Sequence, residues 1–337
     1  MSAYSATPPE TRPSFFRRVA PAVLLFFLAP LFGEYLLGNL KFSEIYYVPF
    51  IAPLYGAGAL LIREAARRAG RGYAAMLALG VAYALVEEGL VDQLLFNPAY
   101  FSGQAQLMDT VIPALGLDVW LTLIVSAMHA VWSICIPIML VEAIFAKRGR
   151  APWLGKSGLA VVTAIFVLGS LWLWYTISLE TGFAASAPQL IVTSVAVAAL
   201  VVAAFTIKPR LAKPERGLVP SPWAAGGFAF AASSLYMLTE YLPGWARVGA
   251  CVLIAAVCLA LVPRWSRRGG WSGLHSLALA GGATLTYAWL GAVMEPETGP
   301  KAIIDHIGTL LFIGGAVELF IVGAKKVASR SARLSWS

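Results

Sequence analysis

The chain has 337 residues, 59% of them hydrophobic and only 12% charged, with a mean hydropathy of +0.75 and a net charge of +8. Soluble domains carry about 25% charged residues, so a water-soluble globule is excluded and an all-α polytopic membrane protein is implied. The positive charge needs no nucleic-acid partner, because it lies in short loops between apolar runs, where anionic lipid head groups face it.

Residues 1–18 are polar and proline-containing, and read as a disordered cytoplasmic N-terminus. The run that follows imitates a secretory signal, with Arg17 and Arg18 ahead of it. No small-residue cleavage site comes after, and Glu34-Tyr35 interrupts where one would stand, so this is an uncleaved first span. A bilayer core of roughly 30 Å needs about 20 apolar residues per helix. Ten such runs are predicted, near 19–40, 45–66, 73–96, 119–146, 157–178, 188–207, 222–243, 246–263, 273–294 and 303–324. The first six form a membrane part over 19–207. A cytoplasmic linker, 208–221, carries Pro209, Pro214 and Pro220 and divides them from a four-helix part over 222–324. Residues 325–337 form a basic cytoplasmic tail.

Loop charge fixes the orientation. Of 25 basic residues, all but Lys41, Arg247 and Lys301 fall before the first span, after every second span, or in the tail. The positive-inside rule then places both termini in the cytoplasm, as expected of a multi-pass protein of the cell membrane whose partner is the bilayer, with anionic lipid at the cytoplasmic face. The outer loops lean acidic, with Glu44, Asp109, Asp118, Glu180, Glu295, Glu297 and Asp305. Trp120, Trp153, Trp174, Trp223, Trp245 and Trp265 stand near span ends, as interfacial belts do. Cys135, Cys251 and Cys258 lie inside spans and form no CxxC pair, so no disulfide framework is expected. No HExxH or cysteine–histidine spacing suggests a metal, and no cofactor is expected. The outer loop from Asn97 to Asp118 is the longest on its side; it reads as a lid over the site described next, or as a plain surface loop.

That site is marked by adjacent glutamates, Glu87 and Glu88, in the third apolar run, with Asp92 one turn later. A carboxylate at bilayer depth costs roughly 2.5–3.5 kcal/mol. From a rise of 1.5 Å per residue, Glu87 and Glu34 each lie roughly 24 Å from the inner boundary, and His129 roughly 16 Å from the outer one. If the first, third and fourth spans pack together, one polar pocket holds Glu34, Glu87, Glu88, Asp92 and His129. Ser126 and Ser133 share the His129 face, and Asn97 follows at the rim. As an α-helix, the third span puts Glu88 and Asp92 on one face and Glu87 about 100° away. Two carboxylates so close do not both stay ionised without a cation, and His129 is the one at this depth. Glu142 and Glu318, nearer the basic loops, are expected to form structural ion pairs. His275 and His306, at span ends, are expected in interfacial roles.

The segment from Leu79 to Pro98 resembles the first motif of the CPBP family of intramembrane proteases, a glutamate pair followed by an arginine on a membrane helix. Val125–His129 falls where that family carries its second motif, FxxxH. The resemblance spans residues 79–133 or so. It implies a metal-independent peptidase in which Glu87 activates water, His129 holds it, and Glu88 completes the candidate catalytic set. The arginine position holds Asp92 and the phenylalanine position Val125. The third motif, HxxxN, is absent: Leu279 follows His275 by four residues and Leu310 follows His306 by four. An inactive relative therefore also fits. So do a proton-coupled secondary transporter, suggested by short-looped spans, embedded acids and Pro30, Pro53 and Pro137 within spans, and a non-catalytic scaffold or partner subunit.

Overall fold

The computed structural model describes residues 15–97, 109–148, 150–206, 217–296 and 298–334. The N-terminal segment ahead of residue 15, most of the linker and most of the long outer loop fall outside the described residues, so the disordered N-terminus and the lid do too.

Apolar runs of this length have one good solution in lipid. Every backbone N–H and C=O must be satisfied within the segment, and a helix does that. Each predicted span is a helical segment. The first is α1 (Phe15–Pro30) and its π-helical continuation Leu31–Tyr35. A 3-10 turn, Phe42–Tyr47, leads into α2 (Val48–Arg68). The third is α3 (Tyr73–Val86), continued by the π-turn Glu87–Val91. The fourth is α4 (Val119–Ala127), a π-helical stretch Met128–Cys135, and α5 (Ile136–Ile144). There follow α6 (Lys156–Thr181), α7 (Ala187–Thr206), α8 (Pro222–Met237), α9 (Trp245–Ser266), α10 (Gly273–Val293) and α11 (Ile303–Leu334). Eight of these segments are long and apolar enough to cross a membrane; the first is a shorter apolar helix, and α8 is 16 residues long. A two-stranded hairpin, β1 (Val111–Ile112) with β2 (Leu117–Asp118), precedes α4, whose N-terminus is capped by the Asp118 carboxylate accepting from Leu121 N at 2.8 Å.

Connecting contacts sort the loops into two ends. At one end Arg71 reaches the Phe205 carbonyl, Arg68 the Leu154 carbonyl, Arg268 the Leu218 carbonyl and Arg330 the Ala146 carbonyl. At the other, Asp109 pairs with Arg247, Trp120 with Thr239, Gln189 with the Leu115 carbonyl, and Ser43 N–H with Asp305. This is the alternation the loop charges predict for ten antiparallel segments.

The fourth span is the centre of the bundle. Its most apolar stretch is 78% buried, against 11% for those of α6, α7 and α9, which present their sides outward. Helix association in lipid gains little from hydrophobicity and depends on packing and interhelical hydrogen bonds. Trp132 Nε1 donates to the Ala283 carbonyl and its ring stacks on Tyr287 of α10, with centroids 4.4 Å apart. Ser233 and Ser234 of α8 meet Thr286 of α10 at 2.6 and 3.0 Å.

The basic end holds a buried charge network. Arg63 is fully buried, 2.8 Å from Glu64 and 3.1 Å from Glu142, with its guanidinium 3.6 Å over the Trp153 ring. Arg67 reaches the same Glu142 at 2.6 Å, and Tyr73 donates to it at 2.8 Å. Glu142 is thus the structural partner its position suggests. Three expectations are corrected. Trp153 does not turn its ring outward as a belt residue would; it is buried, with the Arg63 guanidinium over it. Glu318 makes no ion pair among the described residues, because its face of α11 is exposed and carries no neighbouring side chain of opposite charge within ion-pair distance. The third span leaves its helical course at Val91 rather than near residue 96: Gln93 takes a left-handed conformation (φ 61°), and a separate 3-10 turn, Leu94–Phe96, follows.

Candidate functional site

The acids do not stand on regular α-helix. Glu34 lies in the π-turn Leu31–Tyr35, Glu87 and Glu88 open the π-turn Glu87–Val91, and His129 and Ser133 lie in the π-helical stretch Met128–Cys135. π-bulges are rare and gather at functional sites. Two of the three have a local cause. Pro30 immediately precedes the first, and Pro137 follows the third, where it offers no N–H to the Ser133 carbonyl. Each bulge rotates its side chains off the ordinary helical face, and all three turn toward one another.

Close approach is set by two glycines. A Cβ on Gly80 would lie 2.8 Å from Ala130 Cα, so α3 meets the fourth span backbone to backbone beside His129. A Cβ on Gly33 would lie 2.7 Å from Ser133 Oγ and 2.9 Å from the Tyr55 ring, so the first span presses Glu34 toward the same place.

His129 is clamped between the paired glutamates. Its Nε2 lies 2.6 Å from Glu88 Oε1, within the range of a short charge-assisted hydrogen bond. Its Nδ1 lies 3.2 Å from Glu87 Oε2, at ion-pair distance but off the line of a ring N–H, so that this buried oxygen accepts no hydrogen bond. Ser133 Oγ stands 3.4 Å from the same Nδ1. Glu87 is 3% exposed, Glu88 7% and His129 6%.

Glu34 joins through an intermediary. Tyr55 of α2 donates to Glu34 Oε1 at 2.5 Å, and Asn39 donates to its other oxygen at 3.2 Å. The Tyr55 ring packs 5.6 Å from the His129 ring, and Tyr83 of α3 approaches that ring edge-on at 5.9 Å. The Tyr83 hydroxyl lies beside Glu87, in the field of Glu87 and Glu34, but makes no hydrogen bond of normal length and angle. These tyrosines were not legible as site residues, since aromatic residues are common in membrane helices and neither sits in a motif.

The remaining candidates divide. Asp92 stands beside Glu88, and its Oδ1 accepts from Leu94 N at 3.2 Å, so the carboxylate at the arginine position caps the next turn. The 100° offset drawn for a regular α-helix does not hold, because the π-turn lets both glutamates face one ring. Ser126 is buried one turn before His129 and makes no hydrogen bond to the acids among the described residues. Asn97 is buried beyond the Leu94–Phe96 turn. His275 caps α10 at the basic end, with Ser272 at 2.8 Å and the Pro220 carbonyl at 3.1 Å, far along the bundle from His129; His306 is exposed.

The cluster brings four carboxyl groups, Glu34, Glu87, Glu88 and Asp92, around one imidazole. No lysine or arginine forms an ion pair with them among the described residues. Like charges at this spacing in low dielectric repel strongly, which makes the cluster costly without the imidazole between its glutamates. Among the described residues no set of three or more histidine, cysteine, aspartate or glutamate side chains has the geometry to hold a metal ion. An apolar cavity of about 170 Å³, bounded by Leu85, Leu95, Phe96, Leu117, Val192 and Thr193, lies on the α7 side of the third span, away from His129.

No curated protein and no solved structure matches the chain. A family profile covers residues 23–334, nearly the whole length and every element of the cluster, and on that match the chain belongs to an uncharacterized membrane protein family.

Proposed function

We propose that the protein is an intramembrane glutamate/histidine hydrolase of the cell membrane, a peptidase of the kind the CPBP resemblance implies, with its basic loops toward cytoplasmic anionic lipid. The unequal grip on His129 carries this reading. Glu88 holds the ring through a 2.6 Å bond from one oxygen and fixes its orientation, leaving its other oxygen buried and unpartnered, while the Glu87 oxygen nearest the ring makes no hydrogen bond to it. One carboxylate is spent on positioning and the other is left as a base, which is the division of labour general base catalysis needs. In the proposed step a water oxygen bonds to the peptide carbonyl carbon as Glu87 takes its proton. The intermediate collapses with cleavage of the C–N bond, and the proton passes from Glu87 to the leaving amine. The test is a cleavage assay on the full chain in lipid vesicles, with a fluorescence-quenched library of apolar 20-residue peptides. Wild type cleaves members of the library, and Glu87→Gln lowers the rate by about 10²–10⁴-fold. A silent wild type, or a Glu87→Gln variant of equal rate, refutes the reading.

A proton-coupled transporter is the second reading, favoured by the excess of carboxyl groups over cations in the cluster. It predicts acidification of vesicles holding a pH-sensitive dye, lost in Glu88→Gln. A non-catalytic scaffold predicts neither signal.

A further inference from the structure

A hydrolase needs a donor aimed at the oxygen on which negative charge develops. Most polar groups around His129 are already engaged. Both ring nitrogens face carboxylates. Tyr55 and Asn39 are both spent on Glu34. Ser133 faces Nδ1. Two buried phenol hydroxyls near the cluster are left without a well-formed hydrogen bond, those of Tyr83, which lies beside Glu87, and Tyr287. Tyr287 is stacked on Trp132, on the Glu34 side. Tyr83 is 4% exposed, stands one turn before Glu87 and meets the His129 ring edge-on, so its hydroxyl flanks the base and the ring together.

Resting on the hydrolase reading, we propose that the Tyr83 hydroxyl is the electrophilic donor of the site, hydrogen-bonding the substrate carbonyl oxygen and stabilising the charge that forms there. Beside Glu87 this hydroxyl makes no well-formed hydrogen bond, and a poorly satisfied buried donor costs free energy, so its retention next to the base fits a bond completed only during reaction. No step beyond the hydrolysis already written is needed: the donor keeps its proton and shares it with the oxygen until the C–N bond breaks.

Tyr83→Phe keeps the ring and its packing and removes the hydroxyl alone. In the full chain in vesicles, with the best-cleaved library peptide, kcat falls by about 10²–10³-fold, the size of one oxyanion donor. KM stays within twofold, the fall is equal at every pH, and Tyr287→Phe is unchanged. If Tyr83 instead only holds Glu87, the variant shifts the acid limb of the pH profile and leaves the plateau intact, which overturns the proposal. If Glu87→Gln is dead and Tyr83→Phe retains wild-type kcat, the hydrolase reading stands and the Tyr83 role is wrong. If wild type cleaves nothing, both fail. Should Tyr83→Phe not fold, 3-fluorotyrosine at position 83 keeps the hydroxyl with altered acidity; an unchanged kcat there also overturns the proposal.

Discussion

The two glutamates should respond unequally to the same isosteric change. Glu88→Gln removes the charge from a 2.6 Å bond to His129 Nε2. A buried hydrogen bond to a charged group contributes about 1.5–3 kcal/mol, so the variant is expected to lose that much. Glu87→Gln also removes a charge, but its oxygen sits 3.2 Å from Nδ1 without an aligned hydrogen bond, beside Glu88 and in the field of Glu34. The lost attraction is offset by relief of like-charge repulsion, and the variant is expected within about 1 kcal/mol of wild type. The chain supplies its own reporter. Cys135 and Cys251 are buried, so a thiol-reactive dye labels them only on unfolding, in a Cys258→Ser background that removes the partly exposed thiol. Unfolding curves in detergent should place Glu88→Gln clearly below wild type and Glu87→Gln beside it. Equal destabilisation by both would refute the assignment of one carboxylate to positioning and the other to chemistry.

Gly33→Ala brings a methyl to 2.7 Å from Ser133 Oγ and 2.9 Å from the Tyr55 ring; overpacking of this kind costs about 1–3 kcal/mol and should lower the unfolding temperature by the same dye assay. Arg63→Met leaves Glu64 and Glu142 short of a partner at a fully buried position, with an expected loss of about 3–5 kcal/mol in the same dye assay. Thr286→Val removes the 2.6 and 3.0 Å contacts that join α8 to α10, and should cost only about 0.6–1.7 kcal/mol, because hydrogen bonds between membrane helices are modest. A loss above that range would mean that α8 depends on this seam for its insertion.

The sequence by itself determined the architecture. Apolar run length and loop charge respond to the bilayer, an environment that acts on each segment almost independently, so ten helices and their alternation follow from local composition. Glu87, Glu88 and His129 stood out for the same reason: a carboxylate in hydrocarbon is costly wherever it sits, and the cost is visible residue by residue. Their grouping depended on the third dimension. A regular helix sends Glu87 and Glu88 about 100° apart, and only the π-turn at Glu87–Val91 lets both reach one imidazole. That turn is a hydrogen-bond shift of one residue, with no proline nearby to announce it. Tyr55 and Tyr83 entered the site because Gly33 and Gly80 let backbones close in, and a glycine does not name what it approaches. Trp153 is buried under Arg63 rather than turned outward, through a cation–π contact between segments far apart in the chain. Segment-level energies against lipid are written along the chain, whereas energies between segments depend on which faces meet, and only the folded bundle decides that.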